Sequence, residues 1–437
     1  MRAPKRERVE VPGLKPVAAF ETGVFLGVNA IENSVLLMNS PRCPFVRGLK
    51  VFVHNDLAGT VYRATGRHRV ITTEWTGYED VGGGETAFLR RLREAAGRHP
   101  GHWLFAFQNI SSLVSGFDLR GALRAGGGAA RVVPVPIDGP RLDEDWLGGY
   151  DAVLAGVLGR VVSRRGRPVE LLLAGNLFCR NEGDERANVA ELRRLLGALG
   201  VRRPSILLAG GRLALEPLRP RATIALPYAG GRAEAALRRA GVVPARVGLP
   251  VGIEGTAEWL RAVGRALGRE PAAEACLERE LRKLVPEIQW ITAEHLLGRR
   301  AAVVADAHLG GALARFLDEL GLSVRGWFVT GGGRAPAGGR RGARRAESAE
   351  RTFVEPTVEQ FASFLEDDPV DLVIGGSSFK YLALDRGVPY VELGFPSYLT
   401  HVLHPRPYLG FAGARCIVES LLNALLERDQ RRHATEP

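Results

Sequence analysis

Short apolar runs alternate with helix-period segments along this chain in three successive series. In the first, the apolar stretch Val24, Phe25, Leu26, Val28 and Ile31 has helical character. It leads into the strand-like run Ser34-Val-Leu-Leu-Met38, and the turn Asn39-Ser-Pro-Arg42 then presents Cys43. Further strands are predicted over 49–53, 69–75, 103–107 and 132–137. A Gly-rich turn at 81–85 opens a helix to about residue 98, with Thr86 as a cap and Phe88, Leu89 and Leu92 on its apolar face. A helix over 145–162 closes the series. The second series reads as a strand at 169–176, a helix at 188–199 stopped by Gly200, and strands at 205–208 and 222–226. Helices follow at 233–240, 259–267 and 274–284. The third has strands at 300–306, 324–329, 370–375 and 390–393, with helices at 310–320, 358–365, from Phe379, and at 414–427. Between them, 330–351 has the Gly- and Arg-rich composition of a disordered loop. Strands alternating with helices predict an α/β chain of three Rossmann-like domains with parallel sheets. The domains are expected over 1–165, 166–297 and 298–437, the last carrying the inserted loop and a C-terminal helix.

A chain of 437 residues fits two or three domains of ordinary soluble composition, 46% hydrophobic and 24% charged. No run approaches the roughly 18 apolar residues a membrane helix needs. The basic N-terminal stretch is followed by no apolar signal region, so a cytoplasmic protein is expected. The net charge of +11 (59 basic against 48 acidic residues) is mostly arginine on helix faces such as 89–92 and 192–196. Aromatics make up only 7%, too few to interleave with these arginines as single-stranded nucleic-acid binding requires, so no nucleic-acid partner is expected.

The four cysteines, 43, 179, 276 and 416, lie far apart with no CxxC pair. That argues against a zinc finger, a thioredoxin motif, a self-contained ferredoxin site and a disulfide scaffold. Any cluster must be assembled from distant segments or shared between chains. Cys43 sits at the C-terminal end of a predicted buried strand, where open α/β sheets bind ligands, and Arg42 favours its thiolate. It reads either as one ligand of a site completed elsewhere or as an ordinary buried thiol. Cys179 falls in a loop after a strand, while Cys276 and Cys416 have the apolar neighbours of core residues. His54 and Asp56 follow a strand and suit proton delivery, against the alternative of a loop histidine bonded to backbone. His401 and His404 have the spacing of a helical metal pair, but Pro405 and Pro407 oppose a helix there. The glycines of 81–85 could cradle a phosphate, yet no Walker sequence follows. Arg340, Arg341, Arg344 and Arg345 read as an acidic-partner site or as a solvated insertion.

Seven motifs, each weak alone, follow in order. They are the helix, strand and cysteine turn of 20–43; Tyr78-Glu-Asp-Val-Gly-Gly-Gly-Glu85; the loop from Gln108 with Gly116 and Asp118; and Leu173-Ala-Gly-Asn176 with Gly183 and Asp184. The others are Ile374-Gly-Gly-Ser-Ser-Phe-Lys-Tyr381; Gly387-Val-Pro389 with Gly394-Phe-Pro396; and Tyr408-Leu-Gly-Phe-Ala-Gly413. Over 20–426 the chain resembles component 1 of the nitrogenase family: nitrogenase catalytic subunits, their cofactor scaffolds, and the dark-operative protochlorophyllide and chlorophyllide reductases. The resemblance implies that Cys43 is the central cluster-ligand position and that His401 lies where relatives face substrate or cofactor. It places other ligand cysteines near Phe20 or Glu21, near Ile110 and near Pro227, none of which is cysteine. A [4Fe–4S] cluster takes four protein ligands, which this chain does not supply in the family pattern.

In the protochlorophyllide-reductase type, one subunit gives most ligands and its partner gives one. Likeness to that minor partner implies a shared [4Fe–4S] cluster, with Cys43 as metal ligand and Glu21 as an additional oxygen ligand. The implied partners are a cysteine-replete paralogous subunit and an ATP-dependent iron–sulfur reductase, a P-loop iron protein. The implied reaction is reduction of an unsaturated substrate, with tetrapyrroles among the candidates, using protons from His54, Asp56 and His401. The alternative is a non-catalytic scaffold or assembly homologue that has lost the cluster. A third reading, from the layers alone, is a nucleotide-sugar or transferase enzyme.

Overall fold

The computed structural model describes residues 16–43, 46, 48, 54–57, 69–74, 84–126, 131–137, 144–332 and 349–435, with side chains to 430. The strand expected over 49–53, Gly82 and Gly83 of the Gly-rich turn, and positions 333–348 of the Gly/Arg-rich loop lie outside these residues.

Three parallel sheets form, each from one of the three series. The first holds β1 (Ser34–Asn39), β2 (Val70–Thr72), β3 (Trp103–Gln108) and β4 (Val132–Val135) in the order β2-β1-β3-β4. Every residue of β1 and β3 is buried, as expected of continuous apolar strands covered on both faces. The second sheet, β6-β5-β7-β8, uses β5 (Val162–Ala174), β6 (Ser205–Ile206), β7 (Leu218–Ala225) and β8 (Ala245–Arg246). The third, β11-β10-β9-β12-β13, uses β9 (Arg300–Ala305), β10 (Ser323–Val329), β11 (Ala349–Val354), β12 (Leu372–Gly375) and β13 (Tyr390–Glu392). One hydrophobic core runs without a break from Val24 through Leu173 and Val303 to Leu425. The α/β class with three parallel sheets is the predicted architecture.

Several local expectations are corrected. Helix Trp146–Val161 passes directly into β5, seven residues earlier than the apolar run at 169–176 indicates, because the first half of β5 is an exposed arginine-rich extension paired to β7. β11 occupies the end of the stretch read as loop. Its residues Ala-Glu-Arg-Thr-Phe-Val form a largely exposed edge strand held by β10. Helix Glu270–Ile291 continues through Pro286, and helix Gly410–Thr435 extends beyond both expected ends. Cys276 is buried as expected, whereas Cys416 is only half-buried.

Helix Phe20–Asn29 lies against helix Trp146–Val161 with backbone nearly in contact. A Cβ on Gly23 would sit 1.7 Å from the Trp146 carbonyl oxygen, and one on Gly149 would sit 2.0 Å from that of Phe20. Only glycine permits this approach. The pairing sets helix 146–161 between the first sheet and the other two. Its Tyr150 hydroxyl donates to the Asn176 carbonyl at 2.9 Å, and its Trp146 indole N–H donates to the Thr330 carbonyl at 3.4 Å.

Candidate functional site

The C-terminal ends of the second and third sheets face one another, and side chains fill the space between them. The turn after β5 buries Cys179 completely and leaves the Arg180 side chain only 1% exposed. The Arg180 guanidinium donates to Asp184 at 3.1 Å and to the Thr400 carbonyl at 2.9 Å, and it lies 3.4 Å from Glu182. Helix Gly183–Ala198 starts here and points Glu185 into the junction. Glu185 Oε1 accepts from the Tyr408 hydroxyl at 2.7 Å and from Cys179 Sγ at 3.1 Å. Burial, with Asp184 adjacent, pushes the Glu185 carboxyl up to about 7. Burial and the same Glu185 push the Cys179 thiol well above its ordinary range. This thiol is sealed rather than facing a cleft. Across the gap, Tyr228 donates to Asp306 at 3.0 Å, and Asp306 caps helix Ala307–Glu319 by accepting from the His308 and Leu309 amides. His308 packs 5.1 Å from the Tyr228 ring, and burial lowers its pKa against the opposing pull of Asp306 and Asp145.

The predicted site residues divide into two groups. Asp56 is buried and accepts from Asn29 at 2.8 Å and Asn181 at 3.0 Å. Burial raises its pKa despite these bonds. His401 is half-buried, with Nδ1 2.9 Å from Glu182 Oε1. Glu182 also accepts from the Leu57 and Val402 amides, at 3.1 and 3.0 Å. Its burial opposes ionisation, but the Val402 amide and Arg180 outweigh that and hold its pKa low. Asp56 and His401 are thus joined through the pair Asn181–Glu182. His54 is exposed two residues away. Glu21, half-buried in the first turn of helix 20–29, and Cys43, exposed four residues beyond β1, belong to the first sheet instead. The Phe20 ring lies 6.3 Å from that of Phe107, which is level with Met38 in the sheet, so the first turn of helix 20–29 lies at the end of β1 that leads to Cys43.

Glu182 and Glu185 were missed by sequence reasoning. Acidic residues at a helix start read as solvated, and their partners His401 and Tyr408 lie more than 200 positions away. The only available signal was density: Arg180, Glu182, Asp184 and Glu185 lie within six positions.

Among the described residues no group of three or more His, Cys, Asp or Glu is arranged to hold a metal ion. Cys179 is sealed in the junction, and Cys276 and Cys416 lie on separate helices. A complete iron–sulfur cluster therefore does not fit this chain's described residues, whereas the exposed Cys43 fits a single ligand position. Among the described residues no helix is long and apolar enough to cross a membrane.

Comparison with known proteins bears directly on this arrangement. The nitrogenase beta chain of Methanothermobacter thermautotrophicus is 25% identical over 382 residues, covering 79% of this chain and 81% of the relative. That of Methanococcus maripaludis is 24% identical, covering 80% and 82%. A solved structure described as nitrogenase Cp1 at pH 6.5 shares the fold with a TM-score of 0.80 at 17% identity, covering 97% of this chain and 95% of its own. The model of the family described as nitrogenase component 1 type oxidoreductase matches residues 24–426, which removes the unrelated transferase reading. The chain therefore belongs to the nitrogenase component 1 type oxidoreductase family.

Proposed function

We propose that the chain is a cytoplasmic subunit of a two-component, nitrogenase-like oxidoreductase that shares a [4Fe–4S] cluster with a cysteine-replete paralogous subunit. A separate ATP-dependent P-loop iron protein supplies the electrons. The observation that carries this reading is the exposure of Cys43 at the end of a fully buried strand, while Cys179 and Cys276 are buried and Cys416 is half-buried. One cysteine on the surface suits a ligand whose companions come from another chain. Glu21 stands at the same end of the sheet as an oxygen donor. When bound, such a cluster supplies one-electron transfer.

The chain's own residues contribute proton handling. With Nδ1 of His401 donating to Glu182, the imidazole is held in one tautomer and Nε2 is left as the basic nitrogen. Asp56, with its raised pKa, keeps a proton to higher pH than an exposed carboxylate does. His54 provides a solvent-facing site beside it. The substrate class is an unsaturated molecule, tetrapyrroles among the candidates.

A second reading, a non-catalytic scaffold, is favoured by the filled junction, in which the buried charges are satisfied internally. Co-expression with a cysteine-replete paralogue, anaerobic reconstitution and assay of iron and sulfide separate the two. Sharing predicts about four irons per heterodimer, lost on Cys43→Ala with the heterodimer intact. Iron retained in full by the variant overturns the ligand role, and no iron under any condition supports the scaffold.

A further inference from the structure

We propose that the groove between helix Gly183–Ala198 and the loop 402–407 binds a small amphipathic anion, an apolar body with one carboxylate-like head. The groove has a volume of about 730 Å³, within the range of roughly 300–1,000 Å³ typical of small-molecule sites. Ala187 and Ala190 form one wall, and Val402, Leu403, Pro405 and Pro407 form the other. Leu403 is 90% exposed, so a large apolar side chain stands in water at the rim of an apolar concavity. The walls are preformed. The Gly183 amide donates to the Val402 carbonyl at 2.7 Å, and the Val402 amide donates to Glu182 at 3.0 Å.

The charges lining the groove specify the head group. Glu182 is taken up by the Leu57 and Val402 amides and His401. Glu191 pairs with Arg194 at 2.7 Å, and Arg194 reaches Glu280 at 2.7 Å. Arg186 is exposed, lines the groove and has no ion pair among the described residues. One unmatched cation beside an apolar trough is the complement of a singly charged amphipathic anion. This inference stands apart from any cluster and is tested on the isolated full chain.

The probe is anilinonaphthalene sulfonate, whose fused rings and single sulfonate have the required chemistry. Fluorescence titration should show one saturable site from which decanoate displaces the probe. Ala190→Trp fills the trough from an exposed position and should abolish binding with the native circular dichroism retained. Should that variant misfold, Leu403→Ser should weaken binding instead. Arg186→Glu should weaken it about three- to tenfold. Arg193→Glu, exposed on the same helix but outside the groove, should leave it unchanged. No saturable binding, or equal affinity in folded Ala190→Trp, overturns the site. Equal affinity in Arg186→Glu overturns the anionic head. Self-association in sedimentation that Ala190→Trp abolishes makes a second copy the occupant and overturns the small-molecule assignment.

Discussion

Two thiols of this chain sit in opposite surroundings. Cys179 lies where two sheets meet, fully buried and bonded to Glu185, within reach of Arg180 and Tyr408 chemistry that never meets solvent. Cys43 follows a strand just as buried, yet the turn after it carries the sulfur to the surface. Both positions end a parallel strand, the usual place for a ligand in such sheets. The difference is in what fills the space beyond the strand. At the junction, an arginine, four carboxylates and two tyrosines are held by ion pairs and hydrogen bonds to one another, leaving a structural element. At β1 nothing comparable closes over the turn among the described residues, and the thiol is left exposed.

Arg180 holds the junction closed. Its guanidinium ties Asp184 to the carbonyls of Ser397 and Thr400, joining the second series to the third. Arg180→Met leaves buried Asp184 without its cation, an arrangement that costs about 3–5 kcal/mol. The expected result is a large drop in the urea midpoint, with Arg180→Lys recovering only part of it because one ammonium cannot span the same fork. A loss under about 1 kcal/mol would show that water enters the junction, making Cys179 as open as Cys43.

The junction should also give the protein a specific pH response. Glu185 has a folded-state pKa of about 7 against an ordinary 4.5, raised by burial and then by Asp184. The folded state therefore binds this proton more tightly than the unfolded state does. Its stabilising contribution is complete below pH 4.5, falls as pH rises through about 7, and is lost above that. Arg180, Asp184, Tyr408 and Cys179 face the same carboxyl. Glu185→Gln keeps an acceptor for Tyr408 but cannot ionise. The gap in melting temperature between variant and wild type should thus shift in the variant's favour across that window, by the equivalent of roughly 3 kcal/mol. Parallel melting curves at all pH values would place Glu185 in a solvated environment.

How much of this was legible follows from the same contrast. The sheets were readable because β1, β3, β9 and the end of β5 are unbroken apolar runs, and burial on both faces demands that pattern. β11 was not, because an edge strand paired on one side carries Glu350, Arg351 and Thr352 without penalty. Cys43 was legible as a candidate because turn, strand and thiol are adjacent in sequence. The Asp56–Asn181 and Glu182–His401 contacts were not, since each joins segments that only the completed fold brings together. Charged residues near a helix start look alike in sequence whether water or Arg180 satisfies them.

The smallest effect on stability, and the sharpest separation of the two thiols, lies at Cys43 itself. An exposed side chain outside any described packing should tolerate Cys43→Ser within about 0.5 kcal/mol. Its chemical consequence should be large by comparison. A maleimide added to the native chain should modify Cys43 first, Cys416 more slowly from its half-buried position, and Cys179 and Cys276 only after denaturation. The fast phase should vanish in Cys43→Ser, and it should slow in wild type once the paralogous subunit is bound. If the fast phase survives the substitution, the reactive sulfur is elsewhere, and the asymmetry between the two strand ends no longer supports Cys43 as the proposed point of contact with a paralogous subunit.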